Sequence, residues 1–292
     1  MNHRRGWLGV AVLGAIALGV VYARSKPAAV PADGELGSAA LGEAAKARIV
    51  EFWSTFRHAQ SLRRQGHWEP AIDGFLRALE LDPRHQDALY GLANCYIEIG
   101  RFEAALAALE RLAESDPLGQ RAYLQIGLIR SYPGAGDVYD LDAAEAALRR
   151  AVEINQEESG AFLRLAEVML VKGDPDRAFE LYALANRSNF RAVEGYYVRA
   201  YLRWRAGRAE EAVELLTEAV RQSRAPTIVA GVPGEGDNRP GSTLPPSSID
   251  ENRMFARVWN GLAGRFPGGA VTASALDAEF AALDAELRAV AR

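Results

Sequence analysis

A phrase that returns every 34 residues constrains this chain more than any other feature. It consists of a Gly, an Ala five residues later, an Ala or Leu seven residues after that, and often a closing Asp-Pro. The first two copies are Gly66, Ala71, Ala78 and Asp82-Pro83, followed by Gly100, Ala105, Leu112 and Asp116-Pro117. Two later copies begin at Gly173 and Gly207, and between them and the first two lies a copy with an insertion at residues 132–139. A fixed period of this length indicates a repeat architecture.

Each copy predicts two helices joined by a turn. In the second copy the apolar residues fall at the spacing of one helix face, at Leu89, Leu92, Ala93 and Tyr96. Gly100 suits a turn conformation that other residues adopt only with strain. A residue before Pro is disfavoured in the helical region, so Asp-Pro ends the second helix. One such hairpin cannot bury its own apolar face, whereas five stacked hairpins bury a continuous core.

This pattern resembles the tetratricopeptide repeat family, whose repeat carries a bulky residue, Leu, Gly or Ala, Tyr, then Ala, an aromatic, Ala and Pro. The second repeat matches these positions with Leu89, Leu92, Ala93, Tyr96, Ala105, Leu109, Leu112 and Pro117. The repeats fall near residues 52–85, 86–119, 120–158, 159–192 and 193–226. The first departs from the pattern with His58 where Leu is usual, the third lacks the Pro, and the fourth has Phe190 where Pro is expected. The resemblance implies an all-α, right-handed α-solenoid of helix-turn-helix repeats that binds other proteins and is not an enzyme.

The N-terminal segment, residues 1–25, predicts export. Arg4 and Arg5 precede an uncharged run from residue 6 to residue 23, which as a helix reaches about 27 Å, nearly the thickness of a hydrocarbon core. The run could remain as a membrane anchor. The alternative is a cleaved signal peptide, because small residues close the run at Val21-Tyr22-Ala23. We therefore expect a single-pass inner-membrane protein with a periplasmic domain or, alternatively, a protein secreted to the periplasm after signal cleavage.

The remaining chain divides by composition. Residues 26–40 carry two prolines and two glycines and predict a linker, which leads into the repeat domain at 41–225. Residues 226–247 form a segment dense in Pro and Gly, and residues 248–292 predict C-terminal helices. The last helix spaces its apolar residues like a heptad, at Leu276, Phe280, Leu283, Leu287 and Val290. It could cap the open end of the solenoid, which we favour, or join a helix of a partner.

The sequence contains no motif that points to catalysis. There is no His-Glu-x-x-His, no Cys-x-x-Cys and no Gly-Lys-Ser/Thr loop, so we expect no catalytic residue, no metal site and no cofactor. The single cysteine, Cys95, falls within an apolar helical pattern and predicts a buried core residue. A net charge of −4 gives no reason to expect nucleic acid as a partner. Asn186-Arg187-Ser188 matches a glycosylation acceptor.

The resemblance also implies where a partner binds. In this family the first helix of each repeat lines the concave face with its second, fifth, ninth, twelfth and thirteenth positions. From the first, second and fifth repeats, the candidates at those positions are Trp53, Phe56, Arg63, Arg64, Tyr90, Asn94, Tyr197, Tyr201, Trp204 and Arg205. Aromatic side chains beside arginine are frequent anchors of protein interfaces. Some of them could instead pack against neighbouring repeats or the C-terminal helices.

The expected ligand is a protein or peptide segment rich in apolar or aromatic residues. The family's groove for a C-terminal carboxylate needs Lys, Asn and Arg at the fifth and ninth positions of successive repeats, and only Asn94 matches. We therefore expect a scaffold or adaptor of the bacterial cell envelope. The alternatives are a chaperone or assembly factor for an envelope enzyme or complex, or a non-catalytic subunit of an enzyme. The sequence leaves the oligomeric state open.

Overall fold

The computed structural model describes residues 43–224 and 262–290, and within those ranges the secondary structure is helical, without a β-strand. Five helical pairs follow one another: α1 Glu43–Arg64 and α2 Trp68–Leu81, α3 Gln86–Glu98 and α4 Phe102–Ser115, α5 Gln120–Ser131 and α6 Leu141–Ile154, α7 Ser159–Val171 and α8 Pro175–Ser188, α9 Val193–Arg205 and α10 Ala209–Arg224. Two further helices are α11 Leu262–Arg265 and α12 Ala273–Val290. The predicted all-α fold is confirmed for these residues.

The chain divides into two compact units, Met1–Val50 and Glu51–Arg292, and the description below concerns the second. The predicted export segment at 1–25, the linker at 26–40 and the Pro/Gly-rich segment at 226–247 lie outside the described residues. None of the described helices is both long and apolar enough to cross a membrane.

Small residues set the distance between the two helices of each pair. The Ala that follows each turn Gly, and its counterpart in the third pair, is fully buried; these are Ala71, Ala105, Ala144, Ala178 and Ala212. The four turn glycines, Gly66, Gly100, Gly173 and Gly207, have φ between +72° and +83°, a region that side chains with a Cβ rarely adopt. After each of them the next N–H donates to the carbonyl five residues earlier, as Arg101 does to Tyr96 at 2.8 Å. This is the Schellman arrangement that ends a helix.

An Asp or Asn ends the second helix of each of the first four pairs, whether or not Pro follows. Asp82, Asp116, Asn155 and Asn189 all adopt the same extended conformation, with φ between −136° and −141°. The side-chain oxygens of Asp82, Asn155 and Asn189 accept the N–H two residues on, at 3.3, 2.9 and 3.0 Å. The third and fourth repeats therefore keep the turn without Pro, because a short polar side chain can form it by its own hydrogen bond.

The core consists of two hydrophobic clusters that divide within the third pair. The first cluster runs from Phe52 to Val138 and the second from Ala144 to Leu283. The predicted insertion is a 3₁₀ segment, Pro133–Val138, whose Ala135 and Val138 are buried in the first cluster. The insertion is thus part of the core and not an added surface loop.

The C-terminal helix belongs to the second cluster. Its Leu276, Phe280 and Leu283 are buried there together with residues of α9 and α10. The side chains of Leu287 and Val290 lie outside the described residues. At the end of α10 the Arg224 guanidinium donates to the carbonyl oxygens of Ala263, at 3.0 Å, and of Phe266.

Candidate partner-binding surface

Successive first helices share one surface, which is visible where α3 meets α5. Asp87 and Arg121 occupy the second position of neighbouring repeats, and their charged groups are 2.7 Å apart. The Arg121 guanidinium lies 5.0 Å from the centre of the Tyr90 ring, and Gln125 approaches the Tyr90 hydroxyl at 3.5 Å. Asn94 lies one helical turn beyond Tyr90 and is half-buried like it. We call this surface the first-helix face and define it by Asp87, Tyr90, Asn94, Arg121 and Gln125.

In the first repeat the structure separates the two aromatic candidates. Trp53 is 44% exposed, whereas Phe56 is buried. The Phe56 ring lies 6.0 Å from that of Phe75 and 5.0 Å from that of His85, whose Nδ1 accepts the Ala88 N–H and so caps α3. Phe56 is therefore a core residue, which corrects its assignment as a partner contact. Arg63 is half-buried and Arg64 exposed.

In the fifth repeat the aromatic candidates lie beneath α12. Tyr197 and Tyr201 are buried and Trp204 is half-buried; we call these three residues the aromatic triad. The ring of Phe280 is fully buried among them, with ring centres 5.4, 5.8 and 5.8 Å from those of Tyr197, Tyr201 and Trp204. The expectation of an open groove at Tyr197 and Tyr201 is thus wrong for this conformation, because the chain's own helix covers both.

Every polar atom of the triad's rings donates to a carboxylate of α12. The Tyr197 hydroxyl donates to Glu279 at 2.6 Å, the Tyr201 hydroxyl to Asp284 at 2.8 Å and the Trp204 indole N–H to Asp277 at 2.8 Å. Burial, together with the hydrogen bond to Asp284, raises the pKa of Tyr201 to about 12.

Further charges reinforce the docking of α12 from the edge. The Arg205 Nε lies 3.7 Å from the Asp284 carboxylate, and the Arg265 guanidinium lies 2.6 Å from Glu279. Arg205 remains largely exposed, with 58% of its side chain accessible, so it is the one candidate of the fifth repeat that both contacts α12 and faces solvent.

The hydrophobic pattern alone did not predict the three acidic residues of α12 as functional. The sequence did contain a signal for two of them, since Asp277 and Asp284 are spaced to share one helix face with Phe280.

The hydrophobic pattern also missed a buried ionic group at the junction of the fourth and fifth repeats. There Arg164 lies 2.7 Å from Glu167 and 3.7 Å from Glu194, with all three side chains at most 16% exposed. Buried charges are uncommon and are normally paired, as these are.

A cleft of about 660 Å³ opens between α8 and the end of α9, outside the first-helix face. Its wall includes Phe179 and Arg203, and the Arg203 guanidinium lies 3.9 Å from the centre of the Phe179 ring. Asp176, Glu180 and Arg205 add charge of both signs to the lining. The guanidinium contact with the ring is a cation–π interaction that joins the fourth and fifth repeats.

The fold buries two further side chains that could be modified, the thiol of Cys95 and the amide of Asn186. Cys95 is fully buried, as predicted, and burial raises the pKa of its thiol to about 12, so the thiolate is suppressed at neutral pH. Asn186 is buried, and its amide donates to the Ala192 carbonyl at 2.8 Å, which leaves no room for a glycan in the folded chain. Across residues 43–224 and 262–290, no three His, Cys, Asp or Glu side chains are grouped to hold a metal ion.

Curated proteins match parts of this chain. Anaphase-promoting complex subunit 3 of Schizosaccharomyces pombe is 29% identical over 140 residues, which is 45% of this chain and 20% of that protein. General transcription factor 3C polypeptide 3 of Homo sapiens is 36% identical over 66 residues, 23% of this chain and 7% of that protein. The chain therefore spans a fifth or less of the length of these relatives.

Solved structures agree on the fold. A crystal structure of MamA is 25% identical, covers 56% of this chain and 93% of its own, and superposes with a TM-score of 0.50. MamA from Desulfovibrio magneticus RS-1, 14% identical, covers 61% of this chain and 97% of its own with a TM-score of 0.52, which shows a shared fold alone.

Two family models described as tetratricopeptide repeat match residues 62–126 and 135–190. The matches run from the end of α1 to the end of α8, apart from residues 127–134, and they include the buried Ala105, Ala144 and Ala178 and the turn glycines Gly100 and Gly173. These parts of the chain therefore match the tetratricopeptide repeat family.

Proposed function

We propose that the protein is a non-catalytic scaffold that holds a partner protein or peptide on its first-helix face. The observation that carries this proposal is the alignment of Asp87 with Arg121 and of Tyr90 with Gln125 across neighbouring first helices. It creates a surface of half-buried aromatic and polar side chains on rigid elements. Such side chains offer a large contact area for little loss of rotamer entropy on binding.

The charges of this face favour one kind of partner. Asp87 and Arg121 neutralise each other, so the face offers hydrogen bonds and a ring without a strong net charge. The amide of Asn94 can donate and accept at once, which suits the backbone of a bound segment. The partner that fits is a segment with an apolar or aromatic anchor beside Tyr90, and not an acidic tail.

A pair of matched variants tests this proposal in the full-length protein. Tyr90→Ala and Asn94→Ala should each weaken capture of the partner from the source cells by about 1–3 kcal/mol, or roughly five- to 150-fold. The control is Tyr123→Ala, because Tyr123 is also a half-buried first-helix tyrosine but faces Arg150 of α6, 5.9 Å from its ring centre. Equal capture by the Tyr90 and Tyr123 variants would contradict the assignment of the first-helix face.

We further propose that residues 1–25 place the repeat domain outside the cytoplasm, as an anchor or as a cleaved signal. The support is the uncharged run that follows Arg4 and Arg5. Cell fractionation and N-terminal sequencing of the mature protein distinguish the two forms. A mature chain that starts at Arg24 in the soluble periplasm would exclude the anchor, and a repeat domain shielded from protease in spheroplasts would exclude both.

A further inference from the structure

The interface between α12 and the fifth repeat differs in chemistry from the interfaces between repeats. The two core clusters of the repeats consist largely of small and aliphatic residues, such as Ala105, Leu109 and Leu112, which are all nearly or fully buried. The junction of the fourth and fifth repeats adds the paired charges of Arg164 and Glu194. The interface with α12 has one aromatic anchor, Phe280, and three hydrogen bonds from ring atoms to carboxylates. A central aromatic anchor surrounded by directed polar contacts is the usual anatomy of a recognition interface.

The contacts that identify α12 are all made by its side chains. The acceptors of the three triad hydrogen bonds are the carboxylates of Asp277, Glu279 and Asp284, and the group that fills the space between the rings is the Phe280 side chain. Recognition therefore depends on the order of side chains along a helix. It does not depend on how that helix is connected to α10. A helix from another protein with the same order would satisfy the same donors.

The triad occupies positions that the family uses for partners. Tyr197, Tyr201 and Trp204 are the fifth, ninth and twelfth residues of their repeat. The corresponding fifth and ninth residues of the second repeat are Tyr90 and Asn94 on the first-helix face. The helix α12 thus covers the fifth and ninth positions of the fifth repeat, whereas the same positions of the second repeat remain half-exposed.

We propose that the aromatic triad is a binding site for an acidic amphipathic helix that presents a Phe, and that α12 is the chain's own occupant of this site. A partner helix with acidic residues three before, one before and four after a Phe displaces α12. This inference rests on the proposed function, since it names the chemistry of a partner, but it concerns the fifth repeat and not the first-helix face. Because α12 competes within the same chain, the intact protein binds such a helix more weakly than a protein whose α12 is undocked.

The test uses a fluorescein-labelled synthetic peptide of residues 271–290 and the full-length chain. Phe280→Ala removes the anchor of the resident helix but leaves all three ring donors in place. We expect this variant to bind the peptide at least tenfold more tightly than the wild-type chain does. A peptide that carries Phe280→Ala should bind neither protein, and adding Tyr201→Ala to the Phe280→Ala chain should abolish binding.

One control variant and one alternative test variant complete the experiment. Phe190→Ala alters a phenylalanine that is 59% exposed and should leave peptide binding at the wild-type level. Asp284→Lys undocks α12 by placing a cation beside Arg205, without creating a cavity in the second cluster. If circular dichroism shows that only Phe280→Ala fails to fold, peptide binding to the Asp284→Lys variant tests the proposal instead.

Three results would overturn the proposal: folded variants that do not bind the peptide, a wild-type chain that binds it as tightly as the variants, or unfolding of both variants. The last would mean that α12 is an obligate part of the domain. These results are separable from the proposed function. Loss of the natural partner in Tyr90→Ala without any peptide binding would retain the scaffold and reject the displaced helix.

Discussion

Two interfaces of the molecule differ in chemistry. One lies between the second and third helical pairs, and the other lies between the fifth pair and α12. Both cover the apolar end of a repeat. The second pair contributes small and aliphatic residues to the first cluster, including Leu109 and Leu112. The interface with α12 uses rings whose polar atoms are bonded to the acidic residues of α12.

This difference in chemistry indicates that the aliphatic interface is permanent, whereas the interface with α12 is suited to exchange. Aliphatic packing gains free energy from the area removed from water and has no directional requirement, so it favours a continuous stack. Hydrogen bonds between rings and carboxylates require particular donors and acceptors, and an undocked carboxylate is well solvated by water. The free energy that separates docked from undocked α12 is therefore smaller than the free energy that holds the stack together.

The largest expected effect is in the aliphatic interface. Leu109→Ala leaves a cavity at a fully buried position of α4 and should lower the free energy of unfolding by about 2–5 kcal/mol. The measurement is urea denaturation followed by circular dichroism. The matched control is Leu118→Ala, because Leu118 is 73% exposed and its loss should change the free energy of unfolding by less than about 0.5 kcal/mol. Similar losses in the two variants would show that α4 does not bind the stack through Leu109.

A smaller and more local effect is expected at the C-terminal interface. Phe280→Ala removes the fully buried anchor of α12, but the loss of global stability is limited to the free energy of docking one helix and should be smaller than the loss in Leu109→Ala. Hydrogen exchange should show faster exchange of the amides in α12 and unchanged protection in α3 and α4. Phe190→Ala is the control here as well. Equal loss of protection in α3 would mean that the two clusters unfold as one unit.

The features that recur were predictable from the sequence. The helical pairs, the buried Ala105 and its counterparts, and the turn at Gly100 repeat at a fixed distance, so each copy supports the others. The turns of the third and fourth repeats were only partly predictable. The expected signal was Asp-Pro, whereas the structure uses the side chains of Asn155 and Asn189 for the same turn.

The features that occur once could not be predicted. The bonds between the triad and α12 join residues 73 to 83 positions apart, and no period links them. Periodicity assigned Tyr197 and Tyr201 to the fifth and ninth positions of their repeat, but it could not show that α12 covers them. The same holds for the 3₁₀ insertion, because its burial of Ala135 and Val138 depends on the first cluster and not on a local pattern.

Alkaline pH should weaken the C-terminal interface, together with the surroundings of Cys95 and Tyr182, whose pKa values are also raised by burial. The pKa of Tyr201 is raised from 10.0 to about 12 in the folded chain, so the protonated phenol is favoured when α12 is docked. Its contribution to docking is complete below pH 10 and is lost as the pH rises from 10 to 12. In a variant whose other four tryptophans are replaced by Phe, the emission of Trp204, whose indole N–H bonds to Asp277, should report undocking in that window.

The control for this titration is Tyr201→Phe, which keeps the ring but cannot ionise. It removes one hydrogen bond, so α12 should dock more weakly at neutral pH, but the pH midpoint of undocking should rise. An unchanged midpoint would mean that the titration of another group, and not the ionisation of Tyr201, drives the undocking of α12.

The smallest expected effect on stability is at the first-helix face, where the two kinds of contact should separate structure from function. Asp87 and Arg121 form an exposed pair, with 56% and 43% of their side chains accessible, and such pairs contribute about 1 kcal/mol or less to folding. The cation–π contact with Tyr90 adds about 0.5–1 kcal/mol at such exposure. Arg121→Ala should therefore leave the urea midpoint close to that of the wild type, whereas capture of the partner falls, because the guanidinium also orients the Tyr90 ring. Arg111→Ala is the matched control, since Arg111 is an exposed arginine of α4 that bonds only to the Pro83 carbonyl among the contacts found in the described residues. A large stability loss in Arg121→Ala with normal capture would reverse the argument and make Arg121 a structural link between repeats.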